Sequence, residues 1–171
     1  MATAHTYEAD VVWTGDLGVG TASYTSYSRD HDVRLPGRPV LPGSADPAFR
    51  GDPTRYSPEE LLLAALSQCH LLWFLHLAAS AGVVVLEYAD HATGTMTVAP
   101  EGHGEFTEVV LHPAVTVASP GPSTGADTGA VTDADVAALH ERAHHFCFIA
   151  RSVRFPVRHE PAGLRLVDIR R

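Results

Sequence analysis

The two cysteines are the residues with the most chemistry to offer, because a thiol can be core filler, a metal ligand or a nucleophile. Cys69 lies in the nearly all-apolar run SQCHLLWFLHLAASAG, and Cys147 follows 78 positions later in AHHFCFIARS. The N-terminal sequence MATAHTYEADVVWTG has no basic segment leading into an apolar one, so we expect no secretory signal and a cytoplasmic location. Thiols stay reduced there, so we expect these cysteines to be free or redox-active.

Composition predicts a packed globular protein. The chain has 171 residues, of which 45% are hydrophobic and 19% charged, which suits one domain over residues 1–171. Its net charge is −8, and its 12 basic residues are all Arg. No basic patch is visible, so we expect no nucleic-acid partner.

A long helix is predicted to carry Cys69. Ser57 is an N-cap, Pro58 occupies the first helical position, and Glu60 completes a capping box. The helix should end at Gly82 in a Schellman-type turn. Because its sequence is apolar on nearly every side, we expect it to be buried all round.

A membrane span is the competing interpretation of this helix, since about 20 apolar residues suffice to cross a bilayer. Ser67, Gln68, His70 and His76 oppose it, as does the lack of flanking positive charge. We therefore expect no membrane partner.

The remaining elements are predicted from alternation and turn signals. Residues 6–13 and 21–35 favour strands of an N-terminal antiparallel meander, and residues 35–56, with five Pro and three Gly, predict irregular backbone. Three strand-like segments then follow: VVVLEY, GTMTVAP and EFTEVVLHPAVTVA. A flexible loop is expected over 119–133, then a helix capped by Thr132, and VRFPVRHE and LRLVDIR as closing strands.

Three roles for Cys69 stay open on the residues alone. A lone Cys in an apolar helix is most often a small core residue. A zinc site would combine five residues, among which no C-x-x-C or H-x-x-x-H spacing occurs. These are Cys69, His70, His144, His145 and Cys147.

A reactive thiol at Cys69 needs help from elsewhere in the fold. Helical periodicity places it on a stripe with Leu62, Leu66, Trp73 and His76, which are packing partners. Cys69 lies about three turns into the helix, beyond the reach of the helix dipole, so a thiolate requires a cationic neighbour. With no Lys in the chain, that neighbour must be an Arg or a protonated His. His70 points about a quarter turn away and is more typical of a hydrogen-bonded core residue.

Four segments, in order along the chain, resemble the OsmC/Ohr family of osmotically inducible and organic hydroperoxide resistance proteins. They are WTGDLGVGTASYTSYSRDH, RYSPEELLLAALSQCH, FTEVVLHPAVTV and AHHFCFIARS. The specific signal is a P-E-x-L helix start ten residues before one Cys, with A-H-x-x-C far downstream. The resemblance implies an α+β fold in which antiparallel sheets wrap around two central helices, in an intertwined homodimer with sites drawn from both subunits.

The resemblance also implies a thiol-dependent peroxidase. Cys69 matches the peroxidatic cysteine, Cys147 the resolving cysteine and Glu59 the glutamate that holds an arginine, best matched by Arg29. Arg34, Arg38 and Arg55 are rival candidates for that arginine. The implied reductant is an external thiol or dithiol, with a lipoyl-bearing protein as one candidate, and no cofactor is implied.

An apolar pocket lining would favour organic hydroperoxides over hydrogen peroxide. The candidates are Phe49, Leu62, Leu66, Trp73 and Phe148. Phe148 departs from the family pattern, which usually has Pro after the second cysteine. The alternative function is a stress-related module on the same scaffold that binds zinc or a small molecule without turnover.

Overall fold

The chain divides into two compact units after Leu62. A computed structural model describes residues 3–119 and 131–168. The prediction of a single domain stays a prediction.

The first unit contains the predicted antiparallel meander. Strands β1 (Asp10–Trp13), β2 (His31–Arg34) and β3 (Leu41–Gly43) pair in that order. The prediction was wrong about two details. Only the last residues of 21–35 form a strand, and β3 lies within 35–56, which was expected to be irregular. Pro42 is tolerated because β3 is an edge strand, and the single bridge on its outer side, to Tyr56, uses the Pro42 carbonyl and the Ser44 N–H and needs no N–H from Pro42.

Helix α1 (Pro58–Ser80) begins and ends as predicted. The Ser57 N–H donates to Glu60 Oε2 at 2.8 Å, and the Glu60 N–H donates to Ser57 Oγ at 3.2 Å, which completes the capping box. At the other end Gly82 has φ +74°, and the Val83 N–H donates to the Ala78 carbonyl at 2.9 Å. These contacts define the Schellman turn.

The expectation that α1 is buried on all sides is wrong for a single chain. Its buried residues lie on one stripe, while Leu72 is 65% exposed. By length and composition alone α1 could also cross a membrane, a weak signal because core helices of soluble proteins share it. The buried residues of α1 are Leu66, His70, Phe74, Leu77 and Ala78.

The second unit holds two three-stranded sheets, ordered β4-β7-β9 and β5-β6-β8. The expected antiparallel pairing is found between β4 and β7 and between β5 and β6, whereas β6·β8 and β7·β9 are parallel pairs that the sequence did not predict. Because Pro113 begins a new strand, EFTEVVLHPAVTVA forms two strands and not one. The strands are β4 (Val85–Asp90), β5 (Thr93–Val98), β6 (Gly104–Leu111), β7 (Pro113–Ser119), β8 (Val157–His159) and β9 (Leu164–Asp168).

Helix α2 (Asp133–Phe146) has the predicted Thr132 capping box with Asp135. Its apolar stripe packs into a core with α1 and β7, formed by Phe74, Leu77, Ala78, Val115, Val117, Val136, Leu139 and Ala143. Cys147 is the C-cap residue, so it lies just past the helix, as expected. Most of the predicted loop 119–133 lies outside the described residues.

Candidate active site

The two cysteine thiols of the second unit lie side by side. Both are free, and the Cys69 thiol is within hydrogen-bonding range of the Cys147 thiol. Cys69 comes from the middle of α1 and Cys147 from the end of α2, so packing of the two helices brings together residues 78 positions apart in the sequence. Two adjacent thiols can be oxidised to a disulfide.

The two thiols differ in their surroundings. Cys69 is partly buried, whereas Cys147 is only 1% exposed. Burial raises the pKa of the Cys147 thiol to about 11, and the neighbouring Cys69 adds to the rise although the Ala150 N–H opposes it. That N–H lies 3.4 Å from the Cys147 Sγ. Cys147 is therefore a protonated thiol at neutral pH, and Cys69 is the more accessible of the two.

An aromatic cluster adjoins the cysteines in sequence. Trp73, one helical turn after Cys69, stacks on Phe146 with ring centroids 5.1 Å apart and meets Phe148 edge-on at 5.4 Å. Phe146 and Phe148 flank Cys147, and Phe148 is 66% exposed. Two of the predicted lining residues, Trp73 and Phe148, are thus in contact.

The other predicted lining residues are placed differently. Leu66 is completely buried and belongs to the stripe of α1 that faces the core, so it offers no surface to a substrate in this chain. Phe49 and Leu62 lie in the first unit, where both are partly buried.

Arg29, in the first unit, is held by its own loop. Its Nη1 and Nη2 donate to the Tyr27 and Tyr24 carbonyls at 2.8 and 2.9 Å. Its guanidinium also lies 4.2 Å from the Tyr27 ring centroid and 4.4 Å from that of Tyr24. Cation–π contacts and carbonyl acceptors of this kind fix a guanidinium without a carboxylate.

The ion pair between Arg29 and Glu59, implied by the family resemblance, does not form among the described residues of this chain. Arg29 is occupied by its own loop, and the buried Glu59 Oε2 has no hydrogen-bond partner among them. Two rival arginines already have carboxylate partners: Arg34 pairs with Asp32 at 3.1 Å and Arg55 lies 3.6 Å from Asp30.

Four histidines lie together in the second unit, and we call them the histidine cluster. From the sequence, His70 and His144 are possible zinc ligands and His70 is a possible core residue, but neither the other two members nor the cluster was singled out. Its members come from α1, α2 and β8. His70 Nε2 and His140 Nδ1 are 3.0 Å apart, and the His144 and His159 rings lie 5.6 Å apart. The available signal was HERAH, because His140 and His144 are four residues apart and share a helix face.

The inner members of the histidine cluster are neutral at physiological pH. Burial, with a smaller effect of the neighbouring histidines, lowers the pKa of His70 from 6.5 to about 3. Burial and His159 lower the pKa of His140 to about 4. The pKa of His159 is also lowered by burial, although Glu141 at 3.5 Å opposes that effect.

The histidine cluster is not arranged as a metal centre. The His70 and His140 rings lie within 6° of parallel, and Nε2 of one faces Nδ1 of the other at 3.0 Å, which is a hydrogen-bond distance and leaves no room for an ion between these two nitrogens. No group of three or more His, Cys, Asp or Glu residues among those described could hold a metal ion.

Fold and site together define an α+β protein with two adjacent free thiols carried by two packed helices. The family model described as OsmC-like protein matches residues 51–161. The chain belongs to the OsmC-like family, which confirms the resemblance and the fold class.

Solved structures agree with this assignment. An OsmC-like protein of unknown function from Vibrio cholerae is 32% identical, with a TM-score of 0.76 over 92% of this chain and 99% of that one. An organic hydroperoxide resistance protein from Elizabethkingia anophelis is 20% identical, with a TM-score of 0.64 over 99% of this chain and 100% of its own. An organic hydroperoxide resistance protein from Legionella pneumophila is 17% identical, with a TM-score of 0.65 over 98% of this chain and 100% of that one. No curated protein matches the sequence.

Proposed function

We propose that this protein is a thiol-dependent peroxidase that reduces organic hydroperoxides to alcohols. The observation that carries the proposal is the adjacency of Cys69 and Cys147 together with their unequal burial. An accessible thiol beside a buried, protonated one suits a nucleophile and its resolving partner.

The reaction begins at the Cys69 sulfur. Its thiolate attacks the outer oxygen of the hydroperoxide, the O–O bond breaks, and the alkoxide leaves as an alcohol after taking a proton. Cys69 is then a sulfenic acid. The Cys147 sulfur attacks it, the S–S bond forms, and the Cys69 hydroxyl leaves as water with the Cys147 proton. Protonation of Cys147 at rest keeps it from competing for the peroxide.

A cation beside Cys69 is the remaining requirement, and Arg29 is our candidate. Tyr24 and Tyr27 hold its guanidinium in its own loop, so this loop carries a fixed positive charge. The buried Glu59 Oε2, which has no hydrogen-bond partner in the part of the chain that the structure describes, is the acceptor that would hold such a cation. We propose that the intertwined homodimer, whose two sites draw on both subunits, completes this arrangement.

The substrate we propose is an organic hydroperoxide. Trp73, one helical turn after Cys69, and Phe148, which follows Cys147 directly, form an apolar aromatic surface, and such a surface favours an alkyl or aryl group over the small polar hydrogen peroxide. Phe49 and Leu62 are further candidates for the lining.

An external thiol or dithiol, including a lipoyl-bearing protein, would reduce the disulfide after each cycle, with no bound cofactor. We place this cycle in the cytoplasm. Two titratable thiols per chain set the expected stoichiometry of one hydroperoxide per disulfide.

The experiment is to follow cumene hydroperoxide consumption with dithiothreitol for the wild type and for Cys69→Ser. We expect turnover in the wild type and only the uncatalysed rate in the variant. Cys147→Ser is the matched control, since it removes the other thiol and should retain the first chemical step. Equal slow rates for the wild type and Cys69→Ser would refute peroxidase function, and one equivalent of zinc per purified chain would favour the metal-binding alternative.

A further inference from the structure

A buried hydrogen bond joins the two helices that carry the cysteines. His70 of α1 and His140 of α2 are 1% and 0% exposed, and their Nε2 and Nδ1 atoms are 3.0 Å apart. The bond links the middle of α1 to the middle of α2.

The rings of this pair are fixed from several directions. Phe74 stacks on His140 with centroids 4.2 Å apart, and His159 of β8 lies 5.5 Å from the His70 ring and 6.1 Å from the His140 ring. Stacking of this kind restricts the tilt of each imidazole. The hydrogen bond therefore joins two well-held side chains and not two mobile ones.

The two histidines lie on the same two helices as the thiols, one on each helix. His70 directly follows Cys69, and His140 precedes Cys147 by seven residues, which is about two helical turns and returns to the same face of α2. A shift of α2 against α1 at the histidines therefore also changes the distance between the two sulfurs.

Apolar packing cannot fix this distance as sharply as a hydrogen bond. The hydrophobic effect is non-directional, so the Phe74, Leu139 and Ala143 contacts tolerate a slide of one helix along the other. A hydrogen bond weakens steeply with distance and angle. A displacement of about 1 Å in reacting groups can cost about a hundredfold in rate.

The geometry points to the His70–His140 hydrogen bond as a positioning device that holds the Cys147 sulfur within reach of oxidised Cys69. This inference rests on the proposed peroxidase function. The histidines are positioning residues: two of their ring nitrogens bond each other, and the other two, His70 Nδ1 and His140 Nε2, have no hydrogen-bond partner among the described residues, so neither ring is bonded to a sulfur. The bond should affect disulfide formation and leave the preceding attack on the hydroperoxide unchanged.

Two amide substitutions at one position test this directly. His140→Asn places an amide near the position of Nδ1 and keeps the hydrogen bond, whereas His140→Gln moves the amide toward the position of Nε2 and loses it. Reduced protein is mixed with one equivalent of cumene hydroperoxide and excess dimedone, which traps sulfenic acid. Intact mass then gives the ratio of dimedone adduct to disulfide, and the loss of peroxide is timed separately.

We expect peroxide loss to stay within about twofold of wild type in both variants. In His140→Gln the ratio of adduct to disulfide should rise about tenfold or more, while in His140→Asn it should stay near the wild-type value. His70→Leu should behave like His140→Gln, and Val109→Ala in β6 is the control for general destabilisation, because Val109 is fully buried outside the helices.

Equal ratios in His140→Asn and His140→Gln would overturn the inference, and so would a rise of the same size in Val109→Ala. If the wild type consumes no peroxide, both the proposed function and this inference are refuted. If the wild type consumes peroxide but the ratio of dimedone adduct to disulfide is unchanged in His140→Gln and His70→Leu, the positioning inference is wrong and the proposed function stands.

Discussion

Acid should unfold this protein through the inner histidines, His70 and His140. Both are buried, and their pKa values in the fold are about 3 and about 4, against 6.5 for an ordinary histidine. The unfolded chain therefore binds more protons than the folded one as pH falls below 6.5. Their contribution to stability is complete above that pH and is lost progressively on acidification.

The size of the effect follows from the shifts. Each pH unit below 6.5 costs about 1.4 kcal/mol per histidine that stays neutral in the fold. At pH 5 the two together should lower the free energy of unfolding by about 4 kcal/mol. That is a large fraction of the about 5–15 kcal/mol typical of a domain.

The assay is urea denaturation between pH 7 and pH 5 at one fixed protein concentration, since association would make stability depend on concentration. The matched control is the double variant His70→Gln/His140→Asn, which keeps polar atoms at the bonded positions but cannot titrate. Below pH 6 the free energy of unfolding of this variant should fall less steeply with acidification than that of the wild type, by about 2.7 kcal/mol per pH unit. Titration of the carboxylates changes the stability of both proteins equally, so it cancels in the comparison. Parallel pH profiles for wild type and double variant would refute the reasoning.

Three further substitutions test separate features. Ser57→Ala removes the cap of α1 and should lower the free energy of unfolding by about 1 kcal/mol in a urea titration. An unchanged free energy of unfolding would mean that the capping box does not stabilise the helix. Gly82→Ala forces a Cβ into a φ of +74° and should cost about 1 kcal/mol, so a neutral result would contradict the Schellman geometry. Phe148→Leu removes an aromatic contact with Trp73 and should reduce kcat/KM for cumene hydroperoxide about fivefold more than for tert-butyl hydroperoxide. Equal losses would mean that Phe148 does not contact the substrate.

Features that depend on a few neighbouring residues could be predicted from the sequence. The capping boxes at Ser57 and Thr132 and the turn at Gly82 each arise within about six residues, so their local chemistry determines them. The position of Cys147 at the end of α2 followed from the same local signals.

Features that depend on distant pairing could not be predicted in this way. The parallel pairing of β6 with β8 joins strands separated by α2, and period-two alternation says nothing about strand partners. Strand β3 forms because β2 offers it a partner, although its Pro and Gly favour a loop.

In the candidate site too, local motifs could be predicted and contacts between distant segments could not. Family motifs identified both cysteines, but the His70–His140 bond depends on how α1 packs against α2. The missing Arg29–Glu59 pair has a related cause, since local carbonyls and rings already satisfy Arg29.

The most direct test of the peroxidase proposal is a thiol count after one turnover without reductant. Fully reduced protein receives one equivalent of cumene hydroperoxide, and free thiols are titrated under denaturing conditions. We predict that the wild type loses both thiols of each chain to one Cys69–Cys147 disulfide, confirmed by peptide mass mapping, and that Cys69→Ser keeps its remaining thiol. Retention of both thiols by the wild type, or equal oxidation of Cys147 in Cys69→Ser, would contradict the proposed mechanism.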